Sequence, residues 1–540
     1  VGVRDQQAVP SRQALRDRRG HQRGPSDHHQ RRAAAVLIAA LAAGCATATA
    51  PGTRALTIDG AVFDTLTFAP AGERDSEQVV ITSITPHTDG GLIVAGVTTA
   101  RLELAAGLVA PARSMFVARL SRGGEVVWAR GGQGARPAVA TAPDGRVFVA
   151  AYSTSRAPLG SLRERPGPAQ PDNDTLTLHA LGPDGEPLWT SSPRTPGGGF
   201  DPTEVLFDGD TLVVVGHTYA TYASQGWNLP TIQGVDALVT RWDARTGAIT
   251  SAHAFGGPGT DYAHGAALDA DGGVVVVGSF EREVAFGATP LRAQGNKDGY
   301  VMRLTREGEV AWARQLISDA MVGGFAQAQH VEAMAGGWVV AGTFAQSIDM
   351  GAGPIVPEDG SWRSFALGVE DDGRLRWERT ITGESDWTEP FGLAILPDGA
   401  PVVALQYKDN YGFTDPGFLS VAGQAIRNPS GTDTLFVRLD PDSGRDVLLG
   451  HWHGARQESE FDGHVRVSAI ASHQGTIVAA ATFTGAVSLG SRRLQAPFGV
   501  WEPCAARRAT GEVTLALTPP RDPCDPEHWA TGVSVLKRLD

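Results

Sequence analysis

The chain has 540 residues, 42% hydrophobic and 19% charged, with a formal net charge of −13. That acidity excludes a role on nucleic acid, whose phosphates would be repelled. The ordinary apolar fraction excludes a disordered chain, and 67 glycines suit a protein made of many turns.

Residues 1–44 hold eight arginines and three aspartates, which leaves the rest of the chain at −18. Residues 1–30 are rich in Arg, Gln, His and Asp without hydrophobic periodicity, and no methionine precedes Met115. They read as a disordered tail or as a leader extended upstream of the real start. Arg31-Arg32 then precede a short apolar run that ends at Cys45. The run falls short of the ~20 residues of a spanning helix, so residues 1–44 are expected to be a leader plus a cleaved signal peptide. Leu41-Ala-Ala-Gly-Cys45 resembles a bacterial lipobox, with Ala42 in the slot where leucine is more usual. The resemblance implies an acylated Cys45, a tether over residues 45–54, and an exported lipoprotein held at the cell envelope by its lipid.

From Gly60 onward one pattern recurs. Gly60, Gly124, Gly185, Gly247, Gly308, Gly373 and Gly444 stand 61 to 71 residues apart, and four of them are followed four residues later by Trp128, Trp189, Trp312 and Trp377. Self-similarity at a fixed period marks one supersecondary unit copied many times. The clearest copy starts at Asp261. A small-residue stretch over 262–268 and the turn Asp269-Ala-Asp-Gly-Gly273 lead into the apolar run Val274 to Phe280. Tyr300 to Leu304 alternates, and Arg306-Glu-Gly308 turns the chain into Val310 to Arg314. Those are four antiparallel strands joined by turns. A four-stranded sheet cannot bury both faces alone, so the copies are expected to pack face to face in a ring.

The ends suggest how the ring closes. The last copy stops at Leu539-Asp540 without a fourth strand, and Gly60 to Phe68 is a fourth-strand segment with no first three. Joining them predicts an all-β, seven-bladed β-propeller of four-stranded antiparallel blades over residues 55–540, closed by pairing the N-terminal strand with the C-terminal blade. The tryptophans are expected to pack between blades.

The run of Gly-Gly-x-Asp, a buried strand, Phe-Gly, Asp-x-Tyr-Val-x-Arg-Leu and Gly-x-x-x-Trp, seen from Gly256 to Trp312, resembles the SBBP-type β-propeller repeats of bacterial secreted and surface proteins. The resemblance implies a propeller, and no single activity.

Candidate sites follow from position. Asp75, Asp201, Asp261, Asp319, Asp386 and Asp462 precede the first strands, which line a propeller's channel, so they form either an acidic ring at one mouth or plain turn starts. Asp269 and Asp271 make a hairpin turn or a fragment of a calcium loop. His451 and His453 share one face of a strand, as metal ligands or as packing. Asp243 to Gly247 and Asp440 to Gly444 resemble the docking repeats of quinoprotein dehydrogenases, but Ser251 and Leu448 stand where those repeats end in tryptophan, which argues against a quinone. Tyr407, Tyr411, Phe413 and Phe418 in a long loop of the sixth blade, and Tyr219, Tyr222 and Trp227 in one of the third, are read as loop aromatics that stack on a sugar or a protein or fold back onto the blade. Finally, a proline-rich insertion over 496–530 carries Cys504 and Cys524, which are expected to form a disulfide in an exported protein.

No phosphate loop, Gly-x-Ser-x-Gly elbow or His-Glu-x-x-His is present. The expectation is a monomeric, membrane-anchored scaffold that binds a protein or polysaccharide of the envelope. The alternative is a hydrolase, lyase or quinoprotein-like enzyme with its site at the channel mouth.

Overall fold

Runs of alternating and fully apolar residues cut by turn glycines produce a chain of antiparallel hairpins. The computed structural model describes residues 65–68, 79–495 apart from several loop segments, and 533–539. The leader, Cys45, the tether, Asp75 and the insertion with Cys504 and Cys524 lie outside the described residues, as do Asp386 and Asp462.

The copy read most easily from sequence forms a sheet in the order Tyr262–Leu268, Val274–Phe280, Asp298–Leu304, Val310–Ser318. Neighbouring sheets repeat this order, with first strands at Val79–Pro86, Ala135–Thr141, Phe200–Asp208, Phe325–Met334, Trp387–Ile395 and His464–His473. In the last of these, Val533–Leu539 stands third and Thr65–Phe68 lies antiparallel beside it, Thr65 opposite Lys537 and Phe68 opposite Ser534. The architecture is an all-β propeller. Each first strand contacts the first strand of the next sheet, so these strands surround a central axis. Second strands such as Val274–Phe280 are buried throughout because both faces meet a neighbouring sheet, which is why they read as unbroken apolar runs.

The repeated glycine and tryptophan form a lock between blades. Indole Nε1 of Trp128 donates to Pro183 O at 2.9 Å, Trp189 to Ala244 O at 3.2 Å, Trp312 to Asp371 O at 2.9 Å and Trp377 to Pro441 O at 2.8 Å. Each acceptor belongs to the turn of the following blade, and the glycine of that turn lies flat on the indole. At Gly185, with φ of 79°, an added Cβ would stand 2.5 Å from Trp128, so backbone conformation and space both demand glycine. Where Ser251 replaces the tryptophan, the His253 ring takes the place under Gly308.

The Arg of the Val-x-Arg-Leu strand is explained in the same way. Arg119 pairs with Asp89, Arg303 with Asp269, and Arg438 with Asp398 at 2.7 Å. Each pair ties the third strand to the turn between the first two.

First strands carry a recurrent bulge, between Ile81 and Ser83, Pro202 and Glu204, Ala263 and Gly265, Ala328 and His330, Pro390 and Gly392, and Val467 and Ala469. A bulge releases a carbonyl from the ladder. The preceding blade uses it: Ser468 Oγ donates to Ile81 O at 2.6 Å, and His330 Nε2 lies 3.2 Å from Pro390 O.

Candidate functional site

The bulges also break the period of two, and this places polar side chains of successive first strands along the axis. At bulge positions His264 Nε2 meets Ser279 Oγ at 3.0 Å, and Gln329 accepts from Thr343 Oγ1 at 2.8 Å while donating to Glu389 at 2.8 Å. Burial pushes the Glu389 carboxyl upward, and Arg466 opposes that shift. The Arg466 guanidinium also covers the Phe391 ring at 4.8 Å.

Glu204 and Glu332, half-buried on two different first strands, are the most perturbed acids of the channel wall. Burial pushes Glu204 up to about 8, with the Glu332 charge adding to it, and burial pushes Glu332 up to about 7. Burial holds His264 down to about 3, with Lys297 and the neighbouring imidazoles adding to it, and burial holds His330 down to about 4, so both imidazoles are neutral at pH 7. The arrangement can accept or release protons near neutrality and can hydrogen-bond a polyol.

Closer to the mouth, where first strands begin and second strands end, the Asp201 carboxylate is 6% exposed. Arg136 Nη1 donates to its Oδ2 at 2.8 Å and His217 Nε2 lies 3.8 Å from the same oxygen. His217 Nε2 is also 3.1 Å from the Tyr219 hydroxyl, and the Tyr262 ring stands edge-on to the imidazole at 4.8 Å. Lys297 Nζ lies 5.1 Å from the Tyr262 ring centroid. Two sheets further round, Trp362, 44% exposed, stands against Phe325 at 4.6 Å and bridges to Trp387. Tyr219, 47% exposed, and Trp362 are the aromatic members of the exposed large hydrophobics among the described residues.

The residues singled out from sequence are distributed as follows. Asp201 lies in the mouth. Asp261 is fully buried, accepts from the backbone N–H groups of Gly257 at 2.7 Å and Glu281 at 3.3 Å, and is pushed up to about 7 by burial. It holds the turn in place. Asp319 is half-buried after the strand Val310–Ser318. Asp269 is engaged by Arg303 and by the Asp271 N–H at 3.1 Å, the pattern of a hairpin turn. His451 Nε2 lies 2.9 Å from the fully buried Asp433, and His453 Nδ1 lies 2.9 Å from Gly454 O. Among the described residues no three His, Cys, Asp or Glu side chains stand together as a metal would require. Tyr407 is a correction: it belongs to the strand Pro401–Lys408 and is fully buried, because its alternation continues the strand past the expected end. Sequence reasoning missed Glu204, Glu332, His217 and Arg136. For Glu204, Glu332 and Arg136 the available signal was a charged residue inside a channel-lining first strand, whereas His217 lies near the end of a second strand.

No protein-family model matches the chain, and no curated protein matches it in sequence. Among solved structures it is similar to BamB from Moraxella catarrhalis, at 12% identity and a TM-score of 0.34, covering 76% of this chain and 87% of that one. It is also similar to a quinohemoprotein alcohol dehydrogenase from Comamonas testosteroni, at 10% identity and a TM-score of 0.37, covering 76% and 71%. Similarity this distant carries no argument about activity or partner.

Proposed function

We propose that the chain is an exported, lipid-anchored binding scaffold, a seven-bladed propeller of SBBP-type repeats closed by its N-terminal strand, that takes a polysaccharide of the cell envelope at the channel mouth. The observation that carries this reading is the mouth itself. Its two exposed aromatic rings, Tyr219 and Trp362, flank a wall of neutral imidazoles, carboxyl groups and amides. Rings stack on the apolar faces of sugars, and a dense set of donors and acceptors matches their hydroxyls. The antiparallel pairing of Thr65–Phe68 with Val533–Leu539 supports the closure. Export and anchoring rest on Arg31-Arg32, the apolar run and Cys45, and an oxidising destination would suit a bond between Cys504 and Cys524.

The test is a glycan-array screen with the full chain, followed by titration of each hit against Trp362→Ala and Tyr219→Ala. Loss of one stacking ring is expected to weaken binding about tenfold. Array hits that are indifferent to both substitutions would move the site elsewhere.

A second reading has its own support. Two acids raised to about 8 and about 7 on the channel wall are suited to proton transfer at neutral pH, the requirement for a hydrolase or lyase. Turnover of a bound glycan that vanishes in Glu204→Gln and Glu332→Gln would establish it.

A further inference from the structure

The Asp201 carboxylate is nearly sealed from solvent, yet only one of its oxygens is used. Oδ2 holds Arg136 at 2.8 Å, while Oδ1 is buried with no hydrogen-bond partner. An unpaired buried carboxylate oxygen is costly, and the cost disappears when a ligand supplies the donor. Beside it, burial holds the His217 imidazole in its neutral form against the pull of Asp201. In the tautomer that carries its proton on Nδ1, His217 Nε2 accepts a hydrogen bond from the Tyr219 hydroxyl across 3.1 Å. That leaves the lone pairs of the half-exposed phenol free to accept from a ligand. The Tyr262 ring walls the far side of His217.

Arg136 completes the set. Its backbone lies at φ of 49°, a conformation that non-glycine residues rarely adopt, and its side chain is 72% exposed at the rim. The strain holds a planar guanidinium over the mouth, where one N–H is spent on Asp201 and others point outward. Two acceptors below and a fork of donors above match a molecule that carries both hydroxyls and a carboxylate. A neutral sugar would leave the guanidinium unused, and a simple carboxylate would leave Asp201 Oδ1 unpaired.

Resting on the polysaccharide reading above, we infer that Arg136, Asp201, His217 and Tyr219 form a uronate subsite: the guanidinium takes the sugar carboxylate, and Asp201 Oδ1 and the Tyr219 oxygen accept from its hydroxyls. The probes are an oligogalacturonate, its methyl ester and a neutral cello-oligosaccharide, titrated into the full chain. The acid is expected to bind about tenfold more tightly than the ester, and that margin is expected to shrink as salt is raised. Arg136→Gln is expected to weaken the acid more than the ester, so that the two bind alike and the salt dependence of the margin disappears. Equal binding of acid and ester, or a preference that survives Arg136→Gln, overturns the subsite and leaves the polysaccharide reading standing. Failure of all three probes and of the wider array overturns both.

Discussion

Two stretches of the ring secure the same blade differently. In the sheets that begin at Tyr262, Phe325 and Trp387, the outer strand is joined by a short hairpin from the following blade: Ile317 pairs with Asp349, Thr382 with Ser420, and Trp452 with Leu489. These sheets therefore have six strands. In the sheets that begin at Val79, Ala135 and Phe200, the outer strands Val126–Gly132, Pro187–Ser191 and Ile249–Phe255 stand last in four-stranded order. The hairpin Glu283–Phe286 with Thr289–Arg292 buries Val284 and Phe286 in the core without joining the sheet before it. Among the described residues the repeat thus has two ways of fastening neighbours: the indole lock, found in both stretches, and the exchanged hairpin, found in one, where the other shows a single antiparallel bridge between Gly131 and Gly160. In the sheet that begins at Phe200 the ring under the next blade's glycine, Gly308, is the His253 imidazole instead of an indole.

The sharpest way to break that contrast is to remove equivalent tryptophans. Trp128 and Trp377 are 5% and 7% exposed, and each donates to the next blade's turn at 2.9 and 2.8 Å. Trp377 lies on a strand joined by a hairpin, whereas among the described residues the strand of Trp128 meets the next blade's connection at the single bridge between Gly131 and Gly160. A buried Trp→Ala change costs about 3–5 kcal/mol. Trp128→Ala is expected to reach that range, and Trp377→Ala to fall short of it because the exchanged strand still holds the two blades. Equal shifts of the denaturation midpoint would show that the hairpins do not share the load.

This contrast also marks what was legible in the sequence. The Gly-x-x-x-Trp period was legible because one steric fact, an indole under a left-handed glycine, recurs at Gly185, Gly247, Gly373 and Gly444. The four-stranded unit was legible because the second strand is sandwiched and so must be apolar on both faces. The exchanged hairpins were not, since Ile348–Asp349 and Pro354–Ile355 are two residues each and sit among turn residues. The channel acids were missed for a related reason. The bulge at Thr203 shifts the alternation, so Glu204 reads as an ordinary surface residue of a polar strand. The aspartates at strand starts drew notice instead. Of these, Asp261 serves the backbone and Asp201 lies in the mouth.

A smaller effect separates the steric part of the lock from its backbone part. Gly185 and Gly209 have φ of 79° and 62°, but an added Cβ at Gly209 would meet nothing within 4 Å, whereas at Gly185 it would meet Trp128. Gly209→Ala is expected to cost about 1 kcal/mol, from backbone conformation alone. Gly185→Ala adds the overlap and is expected to cost at least twice as much, read as a lower midpoint in the same denaturation series. Similar values would mean that the indole slides aside and that the lock is looser than its geometry.

The smallest expected effect concerns pH, and it compares the two stretches directly, because Glu204 lies in a four-stranded sheet and Glu332 in a six-stranded one. Both carboxyls are raised from an ordinary value of 4.5, Glu204 to about 8 and Glu332 to about 7. The folded chain therefore binds more protons at these sites than the unfolded chain does, and stability contributed by them falls as pH rises from 4.5 toward the folded values. Below pH 4.5 both states are protonated and nothing is lost. Glu204→Gln mimics the protonated form, so its melting temperature is expected to exceed that of wild type at pH 8.5 and to match it at pH 4. The Glu204 charge is raised partly by Glu332, so Glu332→Gln is expected to lower the Glu204 value as well as to remove its own. The double variant is then expected to gain less at pH 8.5 than the two single gains together. Strict additivity would show that the two carboxyls titrate apart, without the charge coupling that raises Glu204.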